Sequence, residues 1–131
     1  MNQKNIQKGE TFTATETVDK YRAIYYAGAS GDFNPIHIDP EFGKLVGLGG
    51  VILHGLCTLG FAAKTVTDRL GDPGRLKRLK CRFAAPVHLG DTVTTRAEVT
   101  ETNGDRATIK LTVATQENVE VLTMTTAEVQ L

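Results

Sequence analysis

This sequence of 131 residues lacks tryptophan and has only two cysteines, Cys57 and Cys81. They form no CxxC pair and lie far apart in the chain, so we expect two reduced, buried thiols rather than a disulfide. No apolar run approaches the length of a membrane span, and the polar N-terminus at residues 1–5 has no apolar core of the signal-peptide kind. These absences predict a soluble, cytoplasmic protein.

An excess of charge of one sign is also missing, because 15 Lys and Arg residues are balanced by 15 Asp and Glu residues. A neutral chain gives no reason to expect general attraction to nucleic acid or to a membrane surface. The length suits one hydrophobic core and is too short for two ordinary domains, and no repeat or low-complexity segment divides it. We therefore expect residues 1–131 to form one domain.

Apolar periodicity predicts two long helices. After a short strand near Glu10–Ala14, Thr17 can cap a helix that runs from Val18 to about Ala27 and ends at Gly28. A second helix, His54–Leu70, has small and apolar residues along one side, which is typical of a central helix lying close to a sheet. The face of the first helix that we expect to pack on the core consists of Val18, Tyr21, Ile24, Tyr25 and Ala27.

Four segments rich in Val and Thr predict strands that follow the second helix: Arg75–Ala84, Thr92–Thr102, Ala107–Gln116 and Val119–Val129. Residues 28–50, between the helices, are rich in Gly, Asp, Asn and Pro, with one helical turn predicted at Pro40–Lys44. Long ordered loops in small domains are usually functional. The pattern predicts an α+β fold in which an antiparallel sheet wraps around one long central helix.

The long loop contains two residues that can transfer protons, Asp32 and His37. Pro35 stiffens the chain between them, and it favours an extended conformation at Asn34. A carboxylate and an imidazole at this spacing can hold one water between them. The alternative is that Asp32 only caps the loop and His37 is an ordinary core residue.

A second candidate feature is the start of the long helix at His54 and Gly55. The first amides of a helix have no partners inside the helix and carry partial positive charge, so they favour a developing oxyanion. Gly55 would let a substrate carbonyl approach its backbone N–H, whereas His54 suits a supporting role better than that of a base. The alternative is that the glycines only allow close packing on the sheet.

Basic residues cluster on the first strand after the helix, and they could meet the phosphates of coenzyme A or an acidic carrier protein. An exposed strand face balanced by acids elsewhere is the alternative, and a bulge would be needed to bring all of them to one face. Aromatic residues do not interleave with the cluster, which disfavours nucleic-acid binding. The cluster consists of Arg75, Lys77, Arg78, Lys80 and Arg82.

The segment from Tyr26 to His37, followed by Gly47 and by residues 52–55 (Ile-Leu-His-Gly), resembles the hydratase signature of the MaoC-like, (R)-specific enoyl-CoA hydratase family. Residues 82–87 (Arg-Phe-Ala-Ala-Pro-Val) and 90–92 (Gly-Asp-Thr) are similar to that family as well. The resemblance implies a hot-dog fold and a homodimer with active sites near the subunit interface. One departure is Gly60, where some bacterial members carry a serine near the catalytic water.

By the same resemblance, Asp32 and His37 would be the catalytic pair, the Gly55 amide would bind the oxyanion, and Asn34, Pro35 and His54 would support them. The implied reaction is reversible hydration of a trans-2-enoyl thioester, carried by coenzyme A or an acyl-carrier protein, to the (3R)-3-hydroxyacyl thioester. It requires no metal or redox cofactor.

Two other functions are also compatible with the sequence. A hot-dog thioesterase would direct water at the carbonyl carbon, but its acid is commonly on or beside the central helix, where this chain has only Asp68 near the far end. A non-catalytic subunit could stabilise an active partner in a heterodimeric dehydratase, although both Asp32 and His37 are present. Phe42, Leu45, Val46 and Leu48 could line a pocket wall or pack in the core.

Overall fold

The computed structural model describes residues 5–131, and the first four residues of the polar N-terminus lie outside this range. In the described chain, five antiparallel strands form one sheet in the order β1-β3-β4-β5-β2. The strands are β1 (Thr11–Thr17), β2 (Leu76–Phe83), β3 (Thr92–Asn103), β4 (Arg106–Thr115) and β5 (Glu120–Gln130). The bounds of β2, β3, β4 and β5 agree with the four predicted C-terminal strands to within two residues.

The helix α3 (Gly55–Leu70) lies against the inner face of this sheet, as the sequence predicts. One side of α3 is fully buried, including Ala62 and Val66, and it packs among strand residues such as Val99 and Ile109 that are equally inaccessible. Burial of this apolar surface is the main driving force for wrapping the sheet around the helix. The α+β architecture with one central helix is therefore confirmed.

The first helix differs from the prediction at both ends. Thr17 is not a helix cap but the last residue of β1, and Val18 continues the pairing by donating its N–H to the Asp91 carbonyl. The helix α1 therefore spans Arg22–Ser30. Gly28 lies inside it, and Gly31 ends it with φ of 80°, a left-handed conformation that glycine adopts without a Cβ clash.

The predicted core-facing side of α1 is also wrong in part. Tyr21, Ile24 and Tyr25 are half or more exposed, whereas Ala23 and Ala27 are buried.

The helical turn at α2 (Pro40–Leu45) is confirmed, and the Asp39 carboxylate caps it by accepting two backbone N–H groups. Both cysteines are free thiols, with Cys57 buried and Cys81 half-buried. Among residues 5–131, none of the helices is both long and apolar enough to cross a bilayer.

Candidate active site

A cavity of about 630 Å³ opens where the long loop, the start of α3 and the segment after β2 meet. Asp32 and His37 line it from the loop, and Gly55 lines it from the helix. Most of the remaining wall is apolar, so a ligand with a hydrocarbon portion would lose water contact there. The structure thus brings the three principal predicted site residues to one place.

Three side chains in succession fix the loop that carries Asp32. The Asp32 amide donates to Ser30 Oγ at 3.1 Å, the Asn34 amide donates to Asp32 Oδ1 at 3.2 Å, and the Ile36 amide donates to Asn34 Oδ1 at 3.2 Å. Each side chain accepts from the amide two residues later, the local bonding that Ser, Asn and Asp favour in turns. One oxygen of the Asp32 carboxylate is thereby held, while Oδ2 is directed towards His37.

His37 ends the 3-10 turn Pro35–His37 and is buried. Its Nδ1–H donates to the Ile52 carbonyl at 2.8 Å, so the neutral ring has its lone pair on Nε2. Nε2 lies 3.9 Å from Asp32 Oδ2, and the Asp32 side chain is 54% exposed. This separation is too long for a direct hydrogen bond, so a water or a substrate hydroxyl can contact both groups.

His54 contacts both members of this pair. Its ring stacks on His37 with centroids 3.8 Å apart, and its Nε2–H donates to the Asp32 carbonyl at 2.9 Å. The side chain is only 2% exposed, and its Nδ1 has no hydrogen-bond partner within the described part of the chain. His54 also precedes the first residue of α3 as its N-cap, without a side-chain capping bond. A supporting position, as the sequence predicts, fits these contacts.

The first turn of α3 leaves two backbone donors available. The amides of Cys57 and Thr58 both donate to the His54 carbonyl, whereas those of Gly55 and Leu56 have no acceptor within residues 5–131. Both Gly55 and Leu56 line the cavity. Free amides at the positive end of a helix dipole are suited to bind a carbonyl oxygen that gains negative charge.

Asp32, His37 and His54 also offer one ligand atom each within 4.8 Å of one another. The two rings are nearly parallel, with planes inclined by 21°, and the lone pairs of such rings run side by side rather than towards one point. In addition, Nε2 of His54 is engaged as a donor to the Asp32 carbonyl. The donor set therefore fits a bound water better than it fits a metal ion.

The basic cluster on β2 is divided by the structure. β2 pairs with β5 through two register irregularities, one of them between Leu76 and Arg78, which is the bulged geometry that the sequence required. Lys77, Arg78, Lys80 and Arg82 are all exposed. Arg75 lies just before the strand, and its guanidinium donates to the carbonyls of Gln130 and Leu70.

Several cavity residues were not singled out from the sequence. Tyr26 and Ser30 lie one helical turn apart on α1 and both line the cavity, a spacing that could have identified them. Phe83 and the segment after it form another wall. Among the four candidate wall residues in the overhanging loop, only Leu48 lines the cavity, while Leu45 and Val46 are exposed and belong to neither wall nor core.

A family model described as MaoC like domain matches residues 1–121. The (R)-specific enoyl-CoA hydratase of Rhodospirillum rubrum is 31% identical over 98 residues, which cover 74% of this chain and 68% of that protein. A probable enoyl-CoA hydratase 2 from Dictyostelium discoideum is 40% identical over 100 residues, or 72% of this chain.

This chain spans 34% of the length of the Dictyostelium relative, and smaller shares of several peroxisomal relatives. Among solved structures, the (R)-hydratase from A. caviae involved in PHA biosynthesis superimposes with a TM-score of 0.88 at 26% identity. The superposition covers 96% of this chain and 97% of that one. It confirms the hot-dog fold.

Proposed function

Because this chain belongs to the MaoC-like domain family, we propose that it reversibly hydrates trans-2-enoyl thioesters to (3R)-3-hydroxyacyl thioesters. One observation carries the proposal: Asp32 Oδ2 and His37 Nε2 lie 3.9 Å apart in the cavity that also exposes the unpaired amides of Gly55 and Leu56. Hydration of a conjugated thioester needs those two elements, a pair of proton-transfer groups and a site for negative charge.

The thioester carbonyl would accept the Gly55 N–H, with the Leu56 N–H as its neighbour. Water that adds to the β-carbon pushes electrons onto the carbonyl oxygen, and the dipole of the 16-residue helix α3 stabilises the charge that develops there. The largely apolar wall lowers the polarity around the carbonyl oxygen, which would strengthen this interaction.

Asp32 and His37 would together hold the attacking water. One group takes a proton from the water while the other delivers a proton to the α-carbon. After the product leaves, the next water bound between Asp32 Oδ2 and His37 Nε2 would pass the extra proton from the first group to the second, which restores both. The bond from His37 Nδ1 to the Ile52 carbonyl leaves Nε2 as the basic atom that faces Asp32. In the dehydration direction we therefore assign removal of the α-proton to His37, since imidazole is a stronger base than a carboxylate.

Three neighbours would hold this pair in place. The side chain of Asn34 accepts from the Ile36 backbone N–H, and the backbone N–H of Asn34 donates to the Asp32 carboxylate. Pro35 begins the turn that presents His37. His54 donates to the Asp32 carbonyl. The side chains and amides of the protein itself would supply every step, so the scheme uses no metal and no redox cofactor.

The thioester would be carried by coenzyme A or by an acyl-carrier protein. Lys77, Lys80 and the two arginines Arg78 and Arg82 are all exposed on β2, and Arg82 precedes the cavity residue Phe83. Their guanidinium and ammonium groups can bind phosphate or surface carboxylates. The bonds of Arg75 to two carbonyls give it a structural role as well.

We also propose a homodimer, because β2 leaves one edge of the sheet open.

The thioesterase alternative has weaker support. Asp68, the acidic residue of α3, forms a 2.7 Å ion pair with Lys64 and does not line the cavity. A non-catalytic subunit would have no need for the geometry around Asp32 and His37.

The test is a turnover assay with crotonyl-CoA, following loss of enoyl absorbance and identifying the product by chromatography. We expect 3-hydroxybutyryl-CoA, formed reversibly. Free coenzyme A without hydroxyacyl product would support the thioesterase, and no reaction by the purified chain would support the non-catalytic subunit.

A further inference from the structure

Met124, in strand β5, has a left-handed backbone with φ of 51°. Its side chain is 65% exposed and does not line the cavity. A bulky residue in this conformation is an outlier, because its Cβ comes too close to a carbonyl oxygen. Such strain persists only where the surrounding structure enforces it, so the strands on either side must hold Met124 in place.

Met124 lies in a β-bulge that is visible from both neighbouring strands. Thr126 and Thr123 of β5 are three residues apart, yet they pair with residues of β2 that are two apart. The same mismatch occurs against β4, between the partners of Thr125 and Leu122. β5 therefore contains one extra residue at this point. One class of bulge contains a left-handed glycine, and here methionine takes that conformation.

The extra residue changes which side chains of β5 face inwards. On the C-terminal side of the bulge the buried residues alternate at odd positions: Thr125, Ala127 and Val129. On its other side Leu122 is buried and lines the cavity, whereas Thr123 is half-buried. Regular alternation would turn Thr123 inwards in place of Leu122, because side chains alternate between the two faces of a strand. The bulge therefore gives the cavity an apolar side chain.

The part of β5 beside the bulge also holds the wall segment, residues 83–87, all of which line the cavity. The Val121 carbonyl accepts the backbone N–H groups of Ala84 and Ala85 at 3.0 and 3.4 Å. At the other end of the wall segment, the Leu53 N–H donates to the Val87 carbonyl at 2.7 Å. A shift of β5 at Val121 would therefore move the wall segment.

We propose that Met124 is a positioning residue, whose left-handed bulge places Leu122 and the wall segment beside the bound acyl chain. Met124 itself does not touch the ligand. The effect on turnover rests on the proposed function, whereas the effect on the wall segment does not. The backbone conformation carries this role, so glycine can replace methionine and a β-branched residue cannot.

Met124→Gly and Met124→Val separate conformation from side chain, since both remove the methionine but only glycine adopts a positive φ without a Cβ clash. Thr126→Val is the matched control, because Thr126 lies two residues away in β5 and pairs directly with both neighbouring strands. Each variant is measured for kcat and KM on crotonyl-CoA and trans-hex-2-enoyl-CoA. Hydrogen exchange of the Ala84 and Ala85 amides is followed by NMR, relative to the Ile109 amide in the middle of the sheet, which reports general stability.

We expect Met124→Val to raise KM for hexenoyl-CoA by about tenfold, the size of a lost contact in an apolar pocket, while kcat changes by less than about twofold. KM for crotonyl-CoA should rise less, because its acyl chain is shorter and contacts less of the wall. The Ala84 and Ala85 amides should exchange faster relative to Ile109. Met124→Gly and Thr126→Val should match the wild type in every measurement.

A lower melting temperature in Met124→Val, with unchanged KM and unchanged relative exchange, would show that the bulge affects stability alone and would overturn the proposal. Equal changes in Met124→Gly and Met124→Val would overturn it as well, since the side chain would then be the cause. If Met124→Val fails to fold by circular dichroism, Met124→Ala decides by the same measurements, because its Cβ is also disfavoured at this φ.

Failure of the proposed function gives a different result. If the wild type converts neither thioester, the hydratase proposal fails, and hydrogen exchange then tests Met124 alone. Faster relative exchange of Ala84 and Ala85 in Met124→Val supports the positioning role, and equal relative exchange in wild type and variant overturns it.

Discussion

The imidazole rings of His37 and His54 are stacked, with centroids 3.8 Å apart and planes inclined by 21°. Each ring also donates an N–H to a backbone carbonyl: His37 to Ile52, in the segment that leads into α3, and His54 to Asp32, in the loop. His37 of the loop is thus bonded to the segment before α3, and His54 at the start of α3 is bonded to the loop. These two bonds fix Asp32 and His37 relative to the free amides of α3.

Removal of either proton-transfer group should abolish most activity. We expect Asp32→Asn and His37→Ala each to lower kcat for crotonyl-CoA hydration by about a hundredfold or more, the usual contribution of a general acid or base. Asp39→Asn is the control for the first, because Asp39 lies in the same loop, caps α2 and does not line the cavity. Near-wild-type turnover in a folded Asp32 or His37 variant would remove that residue from the mechanism.

Replacing His54 should affect catalysis through the two residues that it contacts. His54→Phe keeps an aromatic ring for the stack on His37 but leaves the Asp32 carbonyl without its donor. Losing one partner of a buried hydrogen bond costs about 1–3 kcal/mol, so we expect a lower melting temperature together with reduced kcat.

His88→Phe separates these two effects. His88 Nε2 donates to the Leu48 carbonyl in a comparable bond, but the ring makes no stacking contact with His37. We expect His88→Phe to lower the melting temperature while kcat stays close to wild type. Equal losses of kcat in the two variants would show that His54 acts only through general stability.

The open edge of β2 should be covered by a second copy of the chain. Within residues 5–131, β2 pairs with β5 alone, and unpaired backbone groups on an edge strand favour association. We expect light scattering to give about twice the chain mass of 14.2 kDa. A monomer at micromolar concentration that still turns over substrate would contradict the homodimer.

Cys57 should be an unreactive thiol at neutral pH. Burial raises the pKa of Cys57, partly opposed by the nearby Arg22 guanidinium. The thiolate is the reactive form, so a raised pKa means less thiolate at pH 8 and a reaction rate that keeps rising above pH 9. Ellman's reagent on Cys81→Ser, where Cys57 is the remaining cysteine, measures this. Rapid labelling at pH 7 in the native state would contradict it.

The sequence predicts the elements with strong periodicity and local signals. The bounds of α3 follow from a long apolar pattern, and α2 follows from Asp39 and Pro40, whose capping and starting roles are purely local. Asp32 and His37 could be identified because both lie in one turn-rich loop.

Features that depend on distant parts of the chain could not be predicted. Residue 18 pairs with the turn at residues 90–91, and this tertiary contact delays the start of α1 to Arg22. Once the start shifts, the buried face changes to Ala23 and Ala27. The contact of Phe83 with Gly55 joins residues from two different elements, so neither local propensity nor spacing reveals it.

The stereochemistry of the product tests the reaction type and the geometry together. Asp32 Oδ2 and His37 Nε2 lie close enough to share one water, and a carbonyl bound at Gly55 would hold a flat enoyl group with one face towards them. Hydroxyl and proton should then arrive at the same face, because both come from this pair.

Similarity to the (R)-specific hydratase of Rhodospirillum rubrum makes the (3R) alcohol the expected product. Hydration of crotonyl-CoA coupled to an (R)-specific or an (S)-specific 3-hydroxyacyl-CoA dehydrogenase identifies the hand, and hydration in D₂O followed by NMR identifies the face of proton delivery. We expect signal only with the (R)-specific enzyme and a syn relationship between the new hydroxyl and the deuterium. Signal only with the (S)-specific enzyme would contradict the proposed hand. Anti addition would require the two groups to act from opposite faces of the enoyl group. The 3.9 Å between Asp32 Oδ2 and His37 Nε2 does not permit that arrangement, so this outcome would contradict the shared-water mechanism.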